Sequence, residues 1–195
     1  YMAGTVTWGY FAACLTQTSN TFVTNREIFG KVYFPRMTIP ISIVITGLFQ
    51  FMIQFVIFIG FLLYFWYRGT QVVPTIMILT LPLILLQRAG LGMGMLISSL
   101  VTKYRDLTFA MTFAVQIWMY LTPVVYPLTQ VPEHYRNLYA LNPMVSVVET
   151  FRGAFLGVSS IEPSQILISV LVTVGVFFVG VVLFRRIEKT FMDTV

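Results

Sequence analysis

Long apolar runs alternate with short polar stretches along the whole chain. A helix needs about 20 mostly apolar residues to cross the hydrocarbon core of a bilayer. Four runs meet this length, and a fifth, near the start of the sequence, carries a polar cluster from Thr16 to Asn20 in its second half. A polar stripe can face a neighbouring helix instead of lipid, so this run is also interpreted as a span. The pattern therefore predicts five transmembrane helices, at residues 5–24, 39–67, 75–101, 108–130 and 164–184.

The composition agrees with lipid as the main solvent. Hydrophobic residues make up 57% of the chain and charged residues 10%, and the mean hydropathy is +0.85. About a quarter of a typical soluble domain is charged, and so few charges would not cover a water-facing surface. The predicted fold class is an all-α integral membrane protein, with residues 1–195 forming a single transmembrane domain.

Most of the basic residues lie in short islands between the apolar runs. Such residues are retained on the cytoplasmic side of a bilayer, and the islands follow the first, third and fifth predicted spans. The pattern therefore predicts a multi-pass protein whose C-terminus is cytoplasmic. This bias also explains the net charge of +5 without a nucleic-acid partner. The islands hold eight of the 12 Lys and Arg residues: Arg26, Lys31 and Arg36; Lys103 and Arg105; Arg185, Arg186 and Lys189.

Residues 131–163 are too polar to form a span, yet they contain an amphipathic pattern. Met144, Val147, Val148, Phe151 and Phe155 recur at helical spacing. The Asn-Pro pair at 142–143 divides the segment into two short helices, because proline fits the first turn of a helix. On the outer face, this pair either lies on the membrane as a surface loop or dips back into it.

The first basic island mixes charge with aromatic residues over residues 25–36. It can form a short cytosolic helix with an apolar face, and exposed aromatic groups are retained where a partner covers them. We therefore interpret it as a docking helix for a soluble partner, whereas the simpler alternative is a loop that only sets the topology. The candidate docking residues are Arg26, Glu27, Phe29, Lys31, Tyr33, Phe34 and Arg36.

Arg88 falls in the middle of the predicted 75–101 span. An arginine that faces lipid at this depth costs at least several kcal/mol, so it must face protein or water. It is either a residue of a transport path or a structural pin, bonded to a carbonyl or to Glu149. The sequence leaves both open.

The glycines at 90, 92 and 94 resemble a phosphate-binding loop only superficially. They lie inside an apolar run and lack the Gly-Lys-Ser/Thr ending. Small residues at this spacing let two helices approach closely, so we predict a packing role. Nothing else in the chain can bind ATP.

A candidate substrate path is indicated by aromatic side chains that lie deep in a predicted span or beside prolines. These are Trp118, Tyr120 and Tyr126. Aromatic faces stack on sugar rings, although core packing is the commoner role. Arg88 and Arg152 complete the candidate set. Arg152 contacts either a substrate or Glu149, three residues away on the same helix face.

The sequence is poorly equipped for catalysis or metal binding. It has one histidine (His134), one cysteine (Cys14) and seven scattered carboxylates without a paired-aspartate motif. We therefore expect no enzyme activity, no metal and no cofactor bound by this chain. A membrane-bound sugar transferase and a passive channel remain alternatives, and a channel would not need a docking helix.

Six short motifs in order give the chain a family resemblance. They are KVYFPR at 31–36, KYRDL at 103–107, LTPVVYP at 121–127, LNP at 141–143, ETFR at 149–152 and FRRIEKTF at 184–191. Together they resemble the permease subunit of type-2 ABC exporters that move lipid-linked polysaccharides such as O-antigen or teichoic acid. The resemblance covers essentially the whole chain.

The resemblance implies six spans per subunit, two permease copies and two separate ATPase subunits that carry ATP and Mg²⁺, in a bacterial cytoplasmic membrane. It assigns residues 25–36 to the coupling helix and 131–156 to a pair of re-entrant gate helices. The family's N-terminal amphipathic helix and first span have no counterpart in this sequence. The expected function is export of a lipid-linked glycan; an exporter of drugs or small lipids is the alternative within the same class.

Overall fold

The computed structural model of the protein describes residues 2–25, 35, 37–69, 80–103, 106–156 and 162–192. Within these ranges the secondary structure is helical, which confirms the predicted all-α class for this part of the chain. The eight α-helices are α1 (Met2–Ser19), α2 (Thr21–Thr24), α3 (Thr38–Tyr67), α4 (Thr80–Lys103), α5 (Leu107–Leu121), α6 (Glu133–Ala140), α7 (Pro143–Leu156) and α8 (Pro163–Met192). A short 3-10 helix covers Leu128–Gln130.

Among the residues that the structure describes, two helices are long and apolar enough to cross a membrane, judged by length and composition. They are α3 and the Pro163–Ile187 part of α8. With 30 residues and a rise of 1.5 Å per residue, α3 is about 45 Å long. The other three predicted spans contain helices of 18, 24 and 15 residues, and the count of five spans stays a prediction.

Helix α5 ends at Leu121, well inside the predicted 108–130 span. The next residue, Thr122, is extended, with φ −104° and ψ 139°. Pro123 explains this end, because a proline disfavours helical geometry at the residue before it and has no N–H to continue the helical hydrogen bonds. Apolar composition alone predicted a longer helix than the chain forms.

Helix α3 ends at a left-handed glycine. Gly69 has a φ of +89°, and its N–H donates to the carbonyl of Trp66 at 3.0 Å. Glycine is the usual residue at this position because it has no Cβ to clash. The aromatic run that precedes it, Tyr64–Tyr67, is exposed, as expected for an interfacial aromatic belt.

Helix α4 packs between α1 and α8, and its glycines make both contacts possible. A Cβ at Gly94 would lie 2.5 Å from Cβ of Thr18 in α1, and one at Gly92 would lie 2.6 Å from Cα of Phe177 in α8. Gly90 faces Cys14 of α1. Glycines two residues apart point to opposite sides of a helix, so the motif serves two interfaces. The predicted packing role is confirmed.

Helix α7 is enclosed by the long helices. Twelve of its 14 residues are buried, and it contacts α1, α4 and α8. Its Phe151 and Phe155 also pack against Phe55 and Phe58 of α3, with ring centroids 5.3–6.1 Å apart. Phe55 lies about 25 Å from the start of α3 and about 18 Å from its end. Helix α7 therefore packs against the middle of a membrane-length helix, and its dipping into the membrane stays a prediction.

Candidate functional site

The candidate docking residues lie outside the described residues. Arg26, Glu27, Phe29, Lys31, Tyr33, Phe34 and Arg36 all fall in this part of the chain. Docking of a soluble partner at residues 25–36 therefore stays a prediction from the sequence.

Arg88 lies on helix α4, in the stretch that precedes its glycine motif. Its side chain falls outside the described residues. Neither of the two roles predicted for it, a path residue or a structural pin, is tested.

Trp118 is part of the hydrophobic core. It is partly buried against the main cluster of apolar residues, and its ring meets that of Phe11 edge to face, with centroids 5.6 Å apart. Edge-to-face contact is a favourable arrangement of two aromatic rings. Of the two readings of Trp118, core packing is the one that the contacts support.

Tyr120 lies on the surface at the end of α5, whereas Tyr126 is partly buried. The side chain of Tyr120 is 70% exposed. The hydroxyl of Tyr126 donates to the carbonyl of Tyr120 at 3.1 Å and lies 3.4 Å from the hydroxyl of Tyr139 in α6. Tyr126 therefore joins the end of α5 to α6, whereas the ring of Tyr120 is open to a ligand.

Arg152 is buried and bonded on both sides of its guanidinium group. Nη1 donates to Oε1 of Glu149 at 2.5 Å, and Nη2 donates to the carbonyls of Pro123 and Val124 at 3.1 and 3.3 Å. The residue as a whole is 9% exposed. The pairing with Glu149, one of the two roles that the sequence left open, is present. Contact of Arg152 with a substrate stays a prediction.

The structure also reveals polar groups that the sequence reading missed. Gln50 and Gln54 lie one helical turn apart near the middle of α3. With Gly9, Tyr10 and Gly47, among other residues, they line a shallow recess between α1 and α3. An amide that faces hydrocarbon is costly, so this position favours a polar neighbour. The sequence contained a sign of this polar position, because two glutamines four residues apart inside an apolar run lie on the same face of a helix.

A second polar stripe follows one face of α5. Thr112, Gln116 and Tyr120 are spaced by four residues, so they share a face of the helix, and all three are exposed. Val115 is the one residue of α5 that is buried. Most of this apolar helix is thus open to lipid, a partner or a ligand.

No metal-binding group is visible in the part of the chain that the structure describes. Within it, no three His, Cys, Asp or Glu residues come together. The site that remains is polar and aromatic, and its buried arginine donates to a carboxylate and to two backbone carbonyls.

These features are consistent with a helical integral membrane protein that has a short helix pair folded against its long helices. Comparison with known families identifies it further: the chain belongs to the ABC-2 type transporter family, whose model matches residues 1–156. The chain is also similar to two O-antigen export system permease proteins named RfbA. The protein from Klebsiella pneumoniae is 27% identical over 98% of this chain and 73% of its own length. The one from Myxococcus xanthus is 27% identical over 78% of this chain and 58% of its own length.

Proposed function

We propose that this chain is the membrane-spanning permease subunit of an ATP-driven exporter that moves a lipid-linked polysaccharide across the bacterial cytoplasmic membrane. The observation that carries the proposal is the ABC-2 family match together with the similarity, over 98% of the chain, to a permease named for O-antigen export. The chain itself performs no chemistry in this proposal. It provides the path, and a separate ATPase that binds ATP and Mg²⁺ provides the energy.

The proposed assembly contains two copies of the permease and two ATPase subunits. Residues 25–36 form the cytoplasmic docking helix, and the C-terminus lies on the same side, as the basic islands predict. ATP binding moves the docking helix, and this motion separates or closes the facing spans.

The exposed polar face of α5 fits a carbohydrate chain better than a lipid or a hydrophobic drug. Sugar hydroxyls donate and accept hydrogen bonds, as the amide of Gln116 does, and the open ring of Tyr120 offers a stacking surface. Both groups are uncharged, so they can bind successive sugars without holding any of them strongly. We therefore place the glycan path along this face.

Loss of the docking aromatics tests the proposed ATPase partner. We expect the tagged wild-type protein to copurify in mild detergent with a soluble ATPase. The triple variant Phe29→Ala, Tyr33→Ala and Phe34→Ala should reduce the amount of recovered ATPase at least about tenfold, because three apolar contacts are removed from one interface. The matched control changes Tyr64, Phe65 and Trp66 to alanine at the end of α3 that is predicted to face outward. Purification of the wild type without any ATPase would favour a channel or a membrane enzyme.

Tyr120 tests the proposed path. Tyr120→Ala should reduce glycan export severalfold, whereas Tyr120→Phe, which keeps the ring, should export at close to the wild-type rate. Both variants should retain ATPase binding, since the side chain is 70% exposed and distant in sequence from the docking segment. Export is measured in proteoliposomes that contain the ATPase and a lipid-linked glycan. If both variants export normally, the path does not pass Tyr120; transport of a small lipid or a drug instead would support the alternative exporter.

A further inference from the structure

The segment that follows α5, residues 122–127, brings backbone carbonyls into the protein interior. Pro123 ends the helix, and Val124 is fully buried. A buried carbonyl without a hydrogen-bond donor destabilises the fold. The carbonyls of Pro123 and Val124 therefore need donors from elsewhere in the chain.

Arg152 supplies these donors from helix α7. One terminal nitrogen of its guanidinium group reaches both carbonyls, and the other is held by Glu149. The planar guanidinium fixes several donors in one geometry, which the single ammonium group of lysine cannot reproduce. Glu149 is 2% exposed and orients the guanidinium from within the same helix.

Two further contacts hold the same segment. The amide nitrogen of Asn142, at the junction of α6 and α7, donates to Oγ1 of Thr122 at 2.9 Å. The carbonyl oxygen of Val124 lies so close to Gly4 of α1 that a Cβ there would be 2.6 Å away. By contrast, α5 has one buried residue, Val115. The position of its C-terminal end is therefore set by the packing of Trp118 against Phe11 and by residues 122–127 with their bonds to α7.

We propose that Arg152 is a positioning residue that holds the 122–127 segment against α7, so that the end of α5 and the α6–α7 pair move as one unit during transport. Arg152 acts through the segment and does not contact the transported molecule. The link to transport rests on the proposed function, whereas the positioning role can be measured without it.

The first test is the accessibility of the segment to a thiol reagent. In the intact protein with Cys14→Ala, Val124→Cys reports opening of the segment, and Leu128→Cys, at a position that is 1% exposed, serves as the control. Arg152→Gln should raise the labelling rate at position 124 about tenfold or more, because hydrogen bonds to a charged group are lost. Arg152→Lys should give a smaller increase. Labelling at position 128 should not change.

Two outcomes would overturn the positioning role. One is an unchanged rate at position 124 in both variants. The other is an equal increase at 124 and 128, which would indicate general loosening of the fold. Arg152→Lys keeps the charge beside Glu149, so it provides a folded variant if Arg152→Gln does not accumulate.

The second test separates coupling from binding of the glycan. With the ATPase present, Arg152→Lys should keep ATP hydrolysis near the wild-type rate while lowering the glycan exported per ATP severalfold, with little change in KM for the glycan. A raised KM with normal labelling at position 124 would instead assign Arg152 to the substrate path and overturn the proposal. Failure of the wild type to export glycan with its ATPase would count against the proposed function and leave the labelling result to decide the role of Arg152.

Discussion

Gly92→Leu should prevent the protein from accumulating in a folded form. A Cβ at this position would lie 2.6 Å from Cα of Phe177 and 2.9 Å from its backbone nitrogen. Backbone atoms cannot rotate away as a side chain can, so α4 and α8 must separate. Overpacking of a well-packed interior typically costs 1–3 kcal/mol, and we expect at least about 3 kcal/mol here because the clash is with backbone. Thermal stability in detergent, followed by size-exclusion fluorescence, measures the effect.

Gly175→Leu is the matched control for this change. Gly175 lies on α8, and a Cβ there meets nothing within 4 Å. Leucine favours helices more than glycine does, so this variant should be at least as stable as the wild type. Equal losses in the two variants would show that α4 and α8 do not pack as described.

Phe151→Ala should cause the second large loss of stability. Phe151 is fully buried, and its ring lies 6.1 Å from that of Phe55, 5.7 Å from that of Phe58 and 4.9 Å from that of Phe155. Truncation leaves a cavity among these rings. We expect a loss of about 3 kcal/mol, at the low end for a buried Phe→Ala change because lipid lowers the gain from apolar burial. The expected fall in Tm is about 10 °C.

The same truncation on the outside of α3 provides the comparison. Phe49 is 72% exposed, so Phe49→Ala removes few internal contacts and should shift Tm by less than about 2 °C. If Phe49→Ala destabilises the protein as much as Phe151→Ala, α7 is not enclosed in the way that the ring contacts indicate.

Apolar runs and prolines predicted much of the helical layout. The division at residues 142–143 is confirmed, since α6 ends at Ala140 and α7 begins at Pro143. The apolar face predicted for α7, from Met144 to Phe155, is buried. The end of α5 was predicted too late because apolar composition was followed past Pro123. Composition records which residues tolerate lipid, whereas backbone geometry determines where a helix ends.

The polar side of α7 shows what an amphipathic pattern does not reveal. Glu149 and Arg152 are on the face that the pattern assigns to water, yet both are buried. They can be buried because the guanidinium group donates hydrogen bonds to the carboxylate and to two backbone carbonyls. Because Glu149 and Arg152 are three residues apart, the sequence allowed an ion pair between them to be considered. The carbonyls came from a segment 28–29 residues earlier in the chain, which no local pattern specifies.

The length of α3 limits how the protein sits in a bilayer. Its 30 residues extend about 45 Å, whereas the hydrocarbon layer is about 30 Å thick. If Tyr64–Tyr67 occupy the headgroup region, the remaining part of α3, about 39 Å long, lies within the hydrocarbon layer. It fits a layer of ordinary thickness only if α3 tilts about 40° from the bilayer normal. The protein should therefore favour a thicker membrane, in which α3 stands more upright.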